Sequence, residues 1–400
     1  MNTGTTIDLA TNNIVGQIKD KCGHIGGLNR IEVLKMEIID ANIFWIQLLL
    51  YDNDILPLKV DILKHIYRQP IKTIYSSPGS SLNTESDFIT PKNNLAVFLV
   101  NKGYVFIGIT PREDAIPPTF DFGLIKDWGL EKHTEDFHKI VTLFQCIDNR
   151  DYDVLGHSVG ALAVLNYSSK NHDNKLKAVR VIDIVGQYSP DSQEFRNSQA
   201  SLNAVNEIMS RGIFADTEFV GFKYIIEQSR INPTGDSGVP RPMGGNFTNE
   251  GLVHFLLIYT NQLPGLLTEI TGLPSNWHFK QGFLSGSYTF GALPTEDRYS
   301  LNHTNIDTVY SAITSIGSGI YPLAYERDFY ALWSNSYPLD WNSIKVPVFY
   351  INTELGFGDA SYTTGLLKSV AIYDVVRDYG HADPVYSNTA NVDFWNRLVP

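Results

Sequence analysis

One stretch constrains the fold of this chain more than any other: Tyr152-Asp153-Val154-Leu155-Gly156-His157-Ser158-Val159-Gly160-Ala161-Leu162-Ala163-Val164-Leu165. It reads as a short apolar strand, a Gly-x-Ser-x-Gly turn and a helix that starts at once. A serine there sits on a sharp, strained turn, the geometry of a nucleophile elbow. Gly156 and Gly160 are needed because a Cβ at either position would collide with the neighbouring strand or helix. The helix beginning at Val159 directs its free N–H groups and positive dipole end at the serine. The pentapeptide alone is common. The strand before it and the helix after it, neither interrupted by proline, give it weight.

The flanking sequence repeats the strand–helix alternation. Ile31–Ile39 and Ile43–Tyr51, joined by Asp40-Ala41-Asn42, predict a hairpin. The segment that follows, to Tyr67, fits either strand or helix. Ile71–Ser77 predicts a strand ending in Pro78-Gly79-Ser80-Ser81. A helix over about 91–102, a strand over Tyr104–Thr110 and a helix over about 132–146 come next. After the serine helix, Ala178–Val185 reads as a strand. Late in the chain the pattern resumes, with strands at Val346–Asn352 and Ile372–Val376 and helices at about 362–370 and 388–398. Strands alternating with helices imply βαβ units and a parallel sheet, which the leading hairpin makes mixed.

Residues 188–342 break the alternation. They are rich in Gly, Pro, Asn, Ser and aromatics, with helix-like pieces near 199–211, 219–229, 252–270 and 304–316. A structureless loop of that length is not expected inside a domain, so an inserted, mainly helical cap subdomain is predicted. The expected organisation is an N-terminal arm at 1–29, an α/β core at 30–187 and 343–400, and the cap at 188–342.

Here the chain resembles the α/β-hydrolase family, on the elbow, the order of elements and two late loops. The resemblance covers about 30–187 and 343–400. It implies a mixed, mostly parallel sheet flanked by helices, with the cap between the sixth and seventh core strands. It also implies a triad in the chain order Ser, acid, His. Ser158 is then the nucleophile. His381, in Asp378-Tyr379-Gly380-His381-Ala382-Asp383, is the base, since no other histidine follows His303. The acid is expected just after Val346–Asn352, where Glu354 and Asp359 both qualify. The oxyanion donors implied are the backbone N–H groups of Val159 and of Ser80, with Ser81 next; Pro78 has none to give. His157 is expected to support the elbow. Arg112-Glu113-Asp114, at a strand end, either contacts substrate or is solvated.

The chemistry implied is acyl transfer through an acyl-enzyme, needing no cofactor or metal. The aromatic and aliphatic residues of the cap, among them Phe247, Phe255, Tyr259, Trp277, Phe279, Phe283, Tyr288 and Phe290, suit a hydrophobic small-molecule ester. They equally suit the cap's own core. The readings open at this level are a carboxylesterase or lipase-like hydrolase, an acyltransferase, thioesterase or cyclase on the same triad, and a catalytically silent ligand-binding protein.

Charge and cysteine content bound the rest. A net charge of −12, with no run rich in Lys or Arg, argues against a nucleic-acid surface. No apolar stretch reaches the length of a membrane span, so no stable membrane insertion is expected. Met1–Asp8 has no basic-then-apolar pattern of a secretory leader, which makes cytoplasmic the default and leaves a processed secreted form open. The two cysteines, Cys22 and Cys146, form no metal-ligand pattern and read as free thiols, with one disulfide the alternative. The oligomeric state is not legible.

Overall fold

The computed structural model describes residues 15–22, 27–170, 173–263 and 265–400. Its centre is a nine-stranded sheet: β1 (Arg30–Ile39), β2 (Ile43–Tyr51), β3 (Leu58–His65), β4 (Lys72–Ser77), β5 (Tyr104–Thr110), β6 (Tyr152–His157), β7 (Leu176–Ile182), β8 (Val348–Thr353) and β9 (Val370–Val376), in the spatial order β1-β2-β3-β5-β4-β6-β7-β8-β9. The first three strands form an antiparallel meander that pairs antiparallel with β5. The other six are mutually parallel. This is the mixed, mostly parallel sheet expected. The segment to Tyr67, ambiguous in the sequence, resolves as β3.

Parallel strands need cover on both faces, and the sequence supplies it by period two. Tyr75, Ile107, Val154, Val181 and Tyr350 enter one core, with helices α4 (Leu130–Ile147) and α5 (Val159–Lys170). Their neighbours Ile74, Phe106, Leu155, Ile182 and Ile351 enter the other, with α3 (Leu95–Asn101) and Trp395. β6 is buried along its whole length, so its C-terminal end is a rigid base for the serine turn.

Between β7 and β8 run α6 (Gln193–Ser210), α7 (Glu218–Ile231), α8 (Asn249–Ile258), two helices at Ile306–Ser315 and Leu323–Trp333, and three small antiparallel pairs of strands. The helix expected over 252–270 stops at Ile258. There the Thr260 hydroxyl bonds the Leu256 carbonyl and accepts the Phe283 N–H. Phe247, Phe255, Tyr288 and Phe290 pack on one another as this segment's own core.

The N-terminus departs from the sequence reading. Residues 15–22 form a helix that buries Ile18, and Cys22 is disulfide-bonded to Cys146 on α4. The free-thiol expectation is therefore wrong. The packing of this helix on α4 brings the two Cα atoms to 6.1 Å, within bridging distance. The rest of the proposed arm up to residue 26 lies outside the described residues. No described helix is long and apolar enough to cross a membrane.

Candidate active site

Ser158 follows β6 directly and has φ +54°, a left-handed conformation that costs a non-glycine residue energy. Its neighbours explain why the turn can close. A Cβ on Gly156 would lie 2.4 Å from the Ala161 backbone on α5, and one on Gly160 would lie 2.2 Å from the Pro78 carbonyl oxygen. The two glycines let the turn nest between helix and upstream loop. The loop Ser77-Pro78-Gly79-Ser80-Ser81 reaches the nucleophile, since a Cβ on Gly79 would stand 3.2 Å from that of Ser158. The Gly79 N–H donates to Asp87, at 2.9 Å.

His381 lies beside this turn, 3% exposed, with Ser158 at 5%. Its Nδ1 is 2.6 Å from Oδ2 of Asp183, a fully buried carboxylate. Asp183 is the first residue after β7, at φ +43°. Its carboxylate also accepts the Thr353 N–H at 2.6 Å and the Phe357 N–H at 3.3 Å. Burial, reinforced by the adjacent His157, holds the His381 pKa below the ordinary histidine value.

Neither expected acid contacts this histidine. Glu354 is exposed and accepts the Asp378 N–H. Asp359 is exposed and pairs with the Tyr373 and Ser361 hydroxyls. The loop that carries them does reach the site, but through its backbone: Thr353 and Phe357 supply N–H groups, and Gly356 allows the close approach, since a Cβ there would stand 2.1 Å from Asp183 Oδ2. Asp183 lies inside the apolar run Ala178–Val185, which reads as one strand in the sequence but ends as a strand at Ile182. The signal present in the sequence was a lone carboxylate at the C-terminal end of that run, the edge where parallel sheets place their sites.

His157, the residue before Ser158, is completely buried and stacks on His381, with ring centroids 4.8 Å apart. Its Nδ1 lies 2.8 and 3.1 Å from the two oxygens of Asp87, in α2 (Thr84–Phe88), and its Nε2 lies 3.2 Å from the His381 carbonyl oxygen. Burial alone would favour the neutral ring, but Asp87 outweighs it and the His157 pKa is raised.

Segment 279–283, from the insertion between β7 and β8, closes over the histidine. Lys280 and Gln281 donate their N–H groups to the Gly356 and Leu355 carbonyls, while His381 and Ala382 donate theirs to Gly282 and Phe283. Phe279, Phe357 and Phe283 surround the imidazole at centroid distances of 4.8, 5.3 and 5.8 Å.

Arg112-Glu113-Asp114 is held by internal partners. Arg112 is buried against Asp52 and Asp136, Glu113 pairs with His133, and Asp114 binds Lys59 and the Gly317 N–H. Among the described residues, no group of His, Cys, Asp and Glu is arranged to hold a metal ion.

No family model matches the chain, and no curated protein matches it. Among solved structures, that of a candidate lipase from Sulfolobus solfataricus superposes with a TM-score of 0.62 at 16% identity, over 93% of this chain and 98% of that one. An epoxide hydrolase from Vigna radiata aligns with a TM-score of 0.48 at 16% identity, over 92% and 96% of the two chains. A highly thermostable carboxyl esterase from Bacillus coagulans aligns with a TM-score of 0.46 at 13% identity, over 88% and 92%. At such identities the likeness is one of backbone, and with the Sulfolobus protein it runs nearly end to end. The chain has the α/β-hydrolase fold.

Proposed function

We propose that this protein is a serine hydrolase that cleaves ester-type bonds of a hydrophobic small molecule through an acyl-enzyme. The observation that carries the reading is the 2.6 Å contact of His381 Nδ1 with the buried Asp183 carboxylate, beside a serine strained at φ +54°. Asp183 accepts the Nδ1 proton of His381 and so leaves Nε2 as the basic nitrogen. His381 takes the Ser158 proton as the hydroxyl attacks the carbonyl. The N–H groups of Val159 and Ser80 receive the oxyanion, the Gly79 N–H being committed to Asp87. Asp183 stabilises the imidazolium, which then protonates the leaving group, and water releases the acyl group. The phenylalanines around His381 support an apolar acyl or alcohol moiety. The insertion at 188–342 serves as the cap over the site, and segment 279–283 is the part of it that reaches the base.

A fluorophosphonate probe tests this reading. Wild type should be labelled at Ser158 and hydrolyse p-nitrophenyl esters, and Ser158→Ala should lose both. A wild type that is not labelled, or labelling that survives Ser158→Ala, would sink it.

The Cys22–Cys146 bridge favours an oxidising compartment over the cytoplasmic default. Protein alkylated at lysis and run without reductant should carry no free thiol.

A further inference from the structure

Two histidine–carboxylate pairs meet at this site, and the triad accounts for one. The second, Asp87 with His157, touches the three pieces of chain that the proposed mechanism must hold in register. Asp87 accepts the Gly79 N–H of the oxyanion loop. His157 is the residue before the nucleophile. Its Nε2 faces the backbone carbonyl oxygen of the base itself, His381.

The partners dictate the protonation of the His157 ring. A carbonyl oxygen can only accept, so Nε2 must carry hydrogen. Nδ1 faces both oxygens of a carboxylate that also accepts a backbone N–H, which suits an ionised Asp87 and a second N–H on the ring. Both ring nitrogens then donate, and the ring is an imidazolium. The titratable and charged groups facing the pair are Asp183, His381 and Tyr386, while His278 faces His381 from the insertion.

We propose that His157 is a permanently protonated positioning residue, fixed by Asp87, whose charge adds to burial in favouring the basic form of the stacked His381 and whose Nε2–H anchors the His381 backbone. The inference rests on the Ser158–His381–Asp183 reading. It gives Asp87 a purpose that a merely structural helix residue would not have: it links the oxyanion loop to the base through a buried ion pair with His157.

Two measurements test it. In wild type, ¹⁵N spectra of the histidine rings should show two histidines with both nitrogens protonated at about pH 8, well above the ordinary value of about 6.5: His157, and His133, whose nitrogens face the Gly129 carbonyl and Glu113; His133→Gln should leave the His157 signal. His157→Gln keeps a donor for the His381 carbonyl but removes the charge. The acidic limb of its kcat/KM profile should move up by about one pH unit, with KM unchanged. His157→Ala, which also loses the donor, should lower kcat further, on the order of tenfold. A neutral His157 ring at that pH, or an unmoved acidic limb in His157→Gln, overturns the proposal. Should His157→Gln not fold, the spectrum of His133→Gln, in which His157 is the one ring left between a carbonyl and a carboxylate, decides. Failure of the triad reading would show separately, as absence of fluorophosphonate labelling at Ser158 in wild type.

Discussion

Asp183 and His381 stand 198 residues apart in sequence and 2.6 Å apart in space. A carboxylate in that position fixes the imidazole tautomer. Asp183→Asn should therefore lower kcat on the order of 10³–10⁴-fold, while Glu354→Gln and Asp359→Asn change it little. Steady-state kinetics of the three variants decides the assignment, and a collapse confined to Asp359→Asn or Glu354→Gln would reverse it. The pH dependence follows from burial. Because the His381 pKa lies below its ordinary value, the ring gives up its proton at lower pH than a free histidine does. The acidic limb of kcat/KM should accordingly have its midpoint below about 6.5. A midpoint above that value would contradict the assigned environment.

At the scale of elements, the site is made where three strands end. β6 delivers the serine, β7 the carboxylate, and β8 runs into the loop whose backbone N–H groups grip that carboxylate. Gly356 is the close point, since a Cβ there would stand 2.1 Å from Asp183 Oδ2 and 2.9 Å from the His381 Cα. Gly356→Ala should displace both side chains and reduce kcat on the order of a hundredfold, with far less effect on KM. Kinetics paired with a thermal melt separate this from global unfolding: a lost melt with normal kcat would refute it. The late loop was recognisable in the sequence as part of the site. Its contribution was misassigned because backbone N–H donors leave no mark in the residue types, whereas carboxylates do.

For the whole molecule, the alternation of apolar strands and helices carries the fold, and the disulfide adds a tether across 124 residues. Cutting it with Cys22→Ala should lower unfolding stability by about 2–4 kcal/mol, read as a lower urea midpoint. An unchanged midpoint would mean that the helix at 15–22 contributes nothing to global stability. The insertion divides its aromatics between two duties. Phe247, Phe255, Tyr288 and Phe290 form its own core, while Phe279 and Phe283 close on His381. Composition alone could not make that division, because both duties call for the same residue types.

The sequence by itself determined the sheet class, the serine turn and the two glycines that permit it, because these depend on local periodicity and on Cβ sterics within a few residues. It also put His381 forward as the expected partner of the serine, through the chain order that the resemblance implies. Only the tertiary structure decided which carboxylate meets that histidine, that the two cysteines pair, and that a second buried histidine–carboxylate pair stands against the first. Each of these joins residues far apart in the chain, where the distance is set by how whole layers pack. Around Ser158 the turn is written locally, and its chemical partners are supplied by the fold.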